Sequence, residues 1–577
     1  MNKYFQNELD SLNDIAKEFS QANPTLAPQL AQASSDPDVE RILEGVAFLT
    51  AGIRQKIDDD FPEFSQGILN QIFPHYLRPI PSATIVQFRP KPILKNVVKV
   101  PTGTYMNSIE VDNISCRFRS TSDLAVSPIA VTSAKFTESA KGRKAIELSF
   151  SLNGISVDSL EGDKLRVYIG GDYPGAVDLF YILFKCLDQI SLVNASEQEY
   201  TNTALNIVPV SFDESFKLLD YPSNSFPAYR LIQEYFLLKE KFLFFDITNL
   251  KSSLAVAGGD QFTVRLYLDD VGIPLPKIGP SRFVLHATPA INLFDHEAES
   301  FLNDYKRYEY PLRPLRNTNN QYQIYTVDEV EGNNRKLAQK NSYKPMGLSD
   351  PDNNSSPVFQ TYSRQSEGQL NASYINFSYP ESFELNNKET VVVGLTCSNG
   401  HHAAKLKACD ITKRASGTSE MVEFSNIIAP SESQNAPTGN SILWRLLSHL
   451  SLNYLSLADT DNLKALLELY IFSGSSGSSG NKQDVANRKR IEGIEDIKVK
   501  GCDRLIGGVA MRGQAINVIV NPVNFISTGD MYLFGMLLNH LLGSFASLNS
   551  FTEFSLTDSS SAEVYSWPIR VGDRPLI

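Results

Sequence analysis

Cysteine is scarce in this 577-residue chain: the five present are an odd number, scattered, and a disulfide framework is not expected. No uninterrupted apolar run approaches the roughly 20 residues that a membrane-crossing helix needs. The opening MNKYFQNELDSLNDIAKEF lacks the apolar segment of a signal peptide, so a cytoplasmic protein without direct membrane insertion is expected. Positive charge is not in excess. A formal net charge of −12, spread along the chain, argues against a dedicated nucleic-acid binder and suits a basic or mixed protein partner.

Catalytic motifs are missing as well. There is no Gly-x-Ser-x-Gly elbow, Walker loop or dinucleotide fingerprint. Gly170-Gly171-Asp172 lacks the Gly-Lys-Ser/Thr of a phosphate loop and reads as a tight turn. His296-Glu297 begins like a zincin motif, but Ser300 stands where the second histidine belongs. Asp350, Asp352 and Asn354 begin like a calcium loop, yet Ser355 and Thr361 replace its glycine and closing glutamate. Asp60 reads as a helix cap, and its neighbours Asp58 and Asp59 as groups that seek basic partners. Cys397, His401, His402 and Cys409 are all acceptable zinc ligands, though their spacing matches no standard pattern. A stand-alone β-rich binding module with a metal site at 397–409 is therefore kept as the alternative reading. No catalytic residue and no cofactor is assigned.

The strongest pattern present is helical and lies near the N-terminus. Phe5, Leu9, Leu12, Ala16 and Phe19 recur at four-three spacing over residues 3–20. After Asp36 and Pro37, a cap and a first-turn proline, Val39, Leu43, Val46, Thr50, Ile53 and Ile57 form a second stripe. A third helix follows Asp60-Phe61-Pro62 and ends before Pro74. Helices with such seams can pack on one another or against helices of another chain. From residue 82 onward, ATIVQFRP, ISCRFRSTSDLAV, KAIELSFSL, QFTVRLYLDD and ETVVVGLTCSNG alternate apolar and polar positions as strands do. YPSNSFPAYRLIQEYFLLKEKFLFFDI (221–247) reads as a buried helix and strand, or as an aromatic interface. Trp567, Arg570 and Arg574 in the closing WPIRVGDRPLI are candidate interface anchors, or parts of a terminal strand stapled to its own domain.

The expected fold is a multidomain α+β chain. Its N-terminal amphipathic helices precede mostly antiparallel β-rich domains with interspersed helices and a mixed C-terminal domain. The divisions are placed at 1–80 (helical), 81–250 (β-rich, closing on the aromatic segment), 251–430 (β-rich, with a polar excursion at 311–370) and 431–577 (mixed α/β, with a flexible loop at 473–490).

The strings DPDVERILEGVAFLTA, QKIDDDFPEF and FPHYLRPIPSATIVQF resemble the N-terminal signature of the TssF (VasA, ImpG) family, baseplate wedge proteins of bacterial type VI secretion systems. RLIQEYFLLKEKFLFFD, WRLLSHLSLNYLSL and WPIRVGDRPLI extend the resemblance from end to end. The resemblance implies a structural subunit, two copies of which assemble with one TssG. TssK and TssE then join to complete a wedge. Six wedges surround the VgrG spike hub on the cytoplasmic side of the inner membrane, supporting sheath and tube polymerisation. It also suggests that Val39, Leu43, Val46, Ile53 and Ile57 meet TssG and the second TssF copy in an intermolecular bundle.

Overall fold

The computed structural model describes residues 2–22, 37–58, 62–138, 142–154, 163–201, 204–222, 225–257, 261–317, 320–334, 339–346, 356–364, 372–380, 383, 388–415, 417–436, 459–472 and 482–572. Three helices come first: α1 (Asn2–Ala22), α2 (Pro37–Asp58) and α3 (Pro62–Ile72). The body that follows is built of mostly antiparallel sheets, as the two-residue alternation predicts.

The first sheet has six strands in the order Ile411–Arg414, Tyr105–Val111, Ile114–Ser120, Ala287–Ile291, Ala83–Pro90 and Val422–Asn426. Along ISCRFRS, Ile114, Cys116, Phe118 and Ser120 point inward while the residues between them face out. The sheet curls until its outer strands meet, with the Arg414 guanidinium donating to the Val422 carbonyl at 3.0 Å and the Cys409 N–H to Asn426 at 2.9 Å. Val86, Phe88, Met106, Phe118 and Phe424 fill the inside.

A five-stranded sheet centred on Gln261–Leu268 and a four-stranded sheet centred on Phe244–Thr248 and Lys164–Ile169 share a second, much larger core. Helices α4 (Tyr173–Lys185), α5 (Pro227–Leu237) and the C-terminal helix Thr528–Gly543 pack into it. The turn at Gly170–Asp172 is the lead-in to α4: Gly171 adopts φ +100°, and the Asp172 carboxylate caps the helix by accepting from Gly175 N–H at 3.0 Å. The C-terminal sheet closes the same core. Its strands Val509–Val520 and Ser550–Asp558 run parallel, with the helix Thr528–Gly543 in the crossover between them.

The sequence divisions at 250 and 430 do not coincide with breaks in packing. Gln261–Leu268 pairs with Lys144–Leu152, and Ala83–Pro90 lies between Ala287–Ile291 and Val422–Asn426. The strands of each sheet come from distant parts of the chain, which local periodicity cannot disclose. The stretch 311–370 also differs from the polar excursion expected. It contributes Gln323–Asn334, Gln339–Pro345 and Val358–Arg364 to an eight-stranded sheet. Val330, Tyr343 and Phe359 join its core, while Tyr362 is buried outside that core and stacks on Tyr374. The loop at 473–480 lies outside the described residues, whereas Lys482–Glu492 is helical.

His286 marks the crossing between two of these sheets. It sits between the strands Phe283–Leu285 and Ala287–Ile291 with φ +56°, and its Nε2 lies 3.3 Å from both the amide nitrogen and the hydroxyl of Ser127. Burial holds its pKa down to about 4, against 6.5 for an exposed imidazole. The unfolded chain therefore takes up this proton before the folded one does. Stability present above pH 6.5 is lost as the pH falls toward 4. His286→Asn, which accepts the left-handed backbone, is expected to flatten that part of the curve of thermal midpoint against pH. An unchanged slope would show that the acid sensitivity arises elsewhere.

Candidate partner-binding surface

Helices α1 and α2 form an antiparallel hairpin whose two faces differ in chemistry. On the inner side Ala16, Ala47 and Ala51 are buried, with Leu12, Leu43 and Thr50 half-buried around them. Small residues at this contact let the helix axes approach closely. Arg54 adds an exposed ion pair with Glu8 of α1, of the kind that contributes little to stability.

On the outer side α2 presents Ile42, Val46, Leu49 and Ile53, which are 67, 41, 68 and 61 % exposed. Their spacing of four, three and four keeps them in one row along the helix. Val46 and Ile53 fall at one seam position, and Ile42 and Leu49 at the other. Beside this row runs a second one, Gly45, Phe48 and Gly52, with Phe48 55 % exposed and open space around both glycine Cα atoms. Burying side chains of this size is worth about 1.5–3 kcal/mol each. A contiguous row left in water marks a surface built to be covered.

The structure divides the stripe expected from sequence. Val46 and Ile53 face outward, Leu43 turns toward α1, and the side chains of Val39 and Ile57 lie outside the described residues. Ile42, Phe48 and Leu49 were missed. The reason is angular: at about 100° per residue the sequence stripe is centred roughly 50° away from the exposed row, between the two packing faces. Counting alanines as core residues would have located the inner face, and with it the outer one.

The C-terminal candidates are placed differently from the anchors proposed. Trp567 is buried in its own domain, stacked on Tyr532 with ring centroids 5.2 Å apart and 5.4 Å from Phe554. Gly535 makes the room, since a Cβ there would come within 2.6 Å of the indole. The Arg570 guanidinium donates to His540 Nε2 at 2.9 Å, and burial together with that cation holds the His540 pKa down to about 3. Arg574 lies outside the described residues. Trp567 and Arg570 are thus the staple of a terminal strand. Trp567 is buried and Arg570 half-buried, and the sheet edge they cover belongs to the large core.

The zinc alternative is not supported by the geometry. Cys397 is buried within its strand, where desolvation pushes its thiol up to about 12, and Cys409 is exposed on a left-handed turn residue. The rings of His401 and His402 lie tilted against each other with centroids 4.1 Å apart. Among the described residues no three His, Cys, Asp or Glu side chains converge on a common point. No helix of the described residues is long and apolar enough to cross a membrane.

The model of the family described as "Type VI secretion system, TssF" matches residues 1–574. The type VI secretion system component TssF1 of Pseudomonas aeruginosa is 27 % identical over 639 aligned positions, covering 99 % of each chain. A chain in the cryo-electron microscopy structure of the type VI secretion system TssK-TssF-TssG baseplate subcomplex superposes with a TM-score of 0.79 and 26 % identity, over 93 % of this chain and 99 % of that one. A chain of the type VI secretion system baseplate complex gives a TM-score of 0.62 at 21 % identity over both full lengths, a likeness of fold.

Proposed function

The chain belongs to the TssF family of type VI secretion baseplate components, structural subunits and not enzymes, and on that premise we infer that it is a wedge subunit held in its assembly by the outer face of α2. TssG and TssK are its partners in this reading, supported by the likeness to a chain of a TssK-TssF-TssG subcomplex. Two copies assemble with one TssG, and TssE, the VgrG spike hub and neighbouring wedges complete the baseplate. The baseplate works in the cytoplasm against the inner membrane, where it holds the spike before firing and nucleates the sheath.

One observation carries the assembly claim: the row Ile42, Val46, Leu49 and Ile53 is solvent-exposed in the lone chain. Its four-three spacing suits helices of TssG and of the second copy, packed as in a coiled coil. The direct test is the mass, by light scattering or native mass spectrometry, of the species formed on co-expression with TssG. Two copies of this chain per TssG is the expected result. A monomer that ignores TssG would refute the reading.

The glycines refine it. Each costs α2 about 1 kcal/mol relative to alanine, and open space surrounds both in the isolated chain. Close approach of a partner helix would make use of them. Gly45→Ala with Gly52→Ala is therefore expected to raise the helix content and thermal resistance of the hairpin while weakening the complex with TssG about tenfold. If stability and affinity rise together, no partner backbone passes there.

A further inference from the structure

Helix α3 is attached to the eight-stranded sheet in an unusual way. Among the described residues, the strand Val358–Arg364 pairs in parallel with Gln339–Pro345 at Val358 and Phe359, and its far half has no strand partner on that side. Side chains of α3 occupy this edge. The Gln66 carboxamide accepts from Ser363 N–H at 2.8 Å and donates to Ser363 C=O at 2.7 Å, reproducing the paired bonds of a neighbouring strand. Asn70 donates to Thr361 C=O at 3.0 Å, one edge-facing residue earlier. Gly67 lies between them, facing the end of the Gln360 side chain.

The apolar side of α3 belongs elsewhere. Leu69 is buried against Ile68, Phe73 and Leu77, of which Phe73 also packs on the large core, and none of these joins the core of the eight-stranded sheet. A cleft of about 850 Å³, lined by Gln66, Asn70, Arg78, Tyr325 and Ser363 among others, runs alongside the contact, with Gln66 itself buried and Asn70 half-buried. Only residues 59–61 separate α3 from α2.

We propose that α3 is a releasable clasp, in which the carboxamides of Gln66 and Asn70 stand in for a missing strand on the edge at Thr361–Ser363, so that displacement of the α1–α2 hairpin detaches α3 from the sheet without opening either core. Carboxamide bonds beside a cleft can be exchanged for bonds to water, whereas a packed apolar contact could not be released so easily. The coupling to the hairpin rests on the partner-binding reading of α2, whereas the clasp itself does not.

The test is hydrogen–deuterium exchange of the full chain in increasing sub-denaturing urea, read on peptides covering residues 62–72, 358–364 and 389–398. Residues 62–72 and 358–364 are expected to lose protection together while 389–398 in the same sheet keeps its own. Gln66→Ala with Asn70→Ala should accelerate exchange at 358–364 at least tenfold without urea and leave 389–398 unchanged. Opening of α3 only together with 389–398, or no effect of the double variant, overturns the clasp. In the complex with TssG, faster exchange at 358–364 is expected. A complex that protects α2 but leaves 358–364 as it was overturns the coupling alone. Failure to form a complex overturns the partner-binding reading, and the urea series still decides the clasp.

Discussion

Replacing Leu49 and Ile53 together by aspartate is expected to abolish co-purification with TssG, weakening the association by 100-fold or more, while the isolated chain stays soluble and keeps its helix content. Both residues are more than half exposed in the lone chain, so the folded hairpin loses no packing. In a bundle each substitution removes about 1.5–3 kcal/mol of apolar burial and adds a carboxylate that must be desolvated. At 1.4 kcal/mol per factor of ten, the lost burial alone accounts for the fold-change. Leu43→Asp is the contrasting variant. Leu43 lies on the α1 side, so its replacement should unfold the hairpin itself and lower the helix content before any partner is added. If the Leu49/Ile53 double variant aggregates as a free chain, the row is internal packing. If it binds TssG normally, the outer face of α2 is not the contact.

Much of this arrangement was legible in the sequence, and its failures share one cause. Helices α1, α2 and α3 and the buried aromatic run from Tyr229 to Phe245 declare themselves through local periodicity, and the structure places each of them close to where that periodicity does. Long-range pairing left no such signal. Nothing in ATIVQFRP says that it lies between strands from 287–291 and 422–426, so domains read along the chain miss the interleaving. The strands of 323–364 looked like a loop because their apolar residues are few and glycine and asparagines interrupt them. At α2 the periodicity was real but its phase was not resolved. A helix packed on one side by alanines and open on the other carries two stripes, and a search for large apolar residues averages them. Trp567 and Arg570 have the composition of interface anchors, and only the tertiary contacts show that the interface they serve is internal.

Breaking the ion pair between Glu234 and Lys241 is expected to be the most destabilising single change in the body of the protein. Both side chains are fully buried. Glu234 Oε1 accepts from the N–H groups of Leu218 and Leu219 at 2.7 and 3.0 Å, while its other oxygen meets the Lys241 ammonium. Desolvation pulls the Lys241 pKa below its ordinary value and the Glu234 carboxylate opposes that pull, so the charge is held there by its partner. Lys241→Met would leave the carboxylate buried with two backbone donors and without its paired ammonium, at a cost of about 3–5 kcal/mol. For a unit of this size that corresponds to a fall in thermal midpoint of roughly 10 °C. Glu234→Gln with Lys241→Met removes both charges, keeps an acceptor for Leu218 and Leu219, and should recover most of the loss. A double variant no more stable than Lys241→Met would mean that the place of the ammonium over the rings of Phe216 and Phe242, 5.8 and 5.3 Å from their centroids, and not its pairing with Glu234, is what the fold loses. Because α5 packs in the same core as the C-terminal helix Thr528–Gly543, calorimetry of the whole chain should show one transition moving for all of these elements together. The transition of the eight-stranded sheet, which has its own core, should stay where it is.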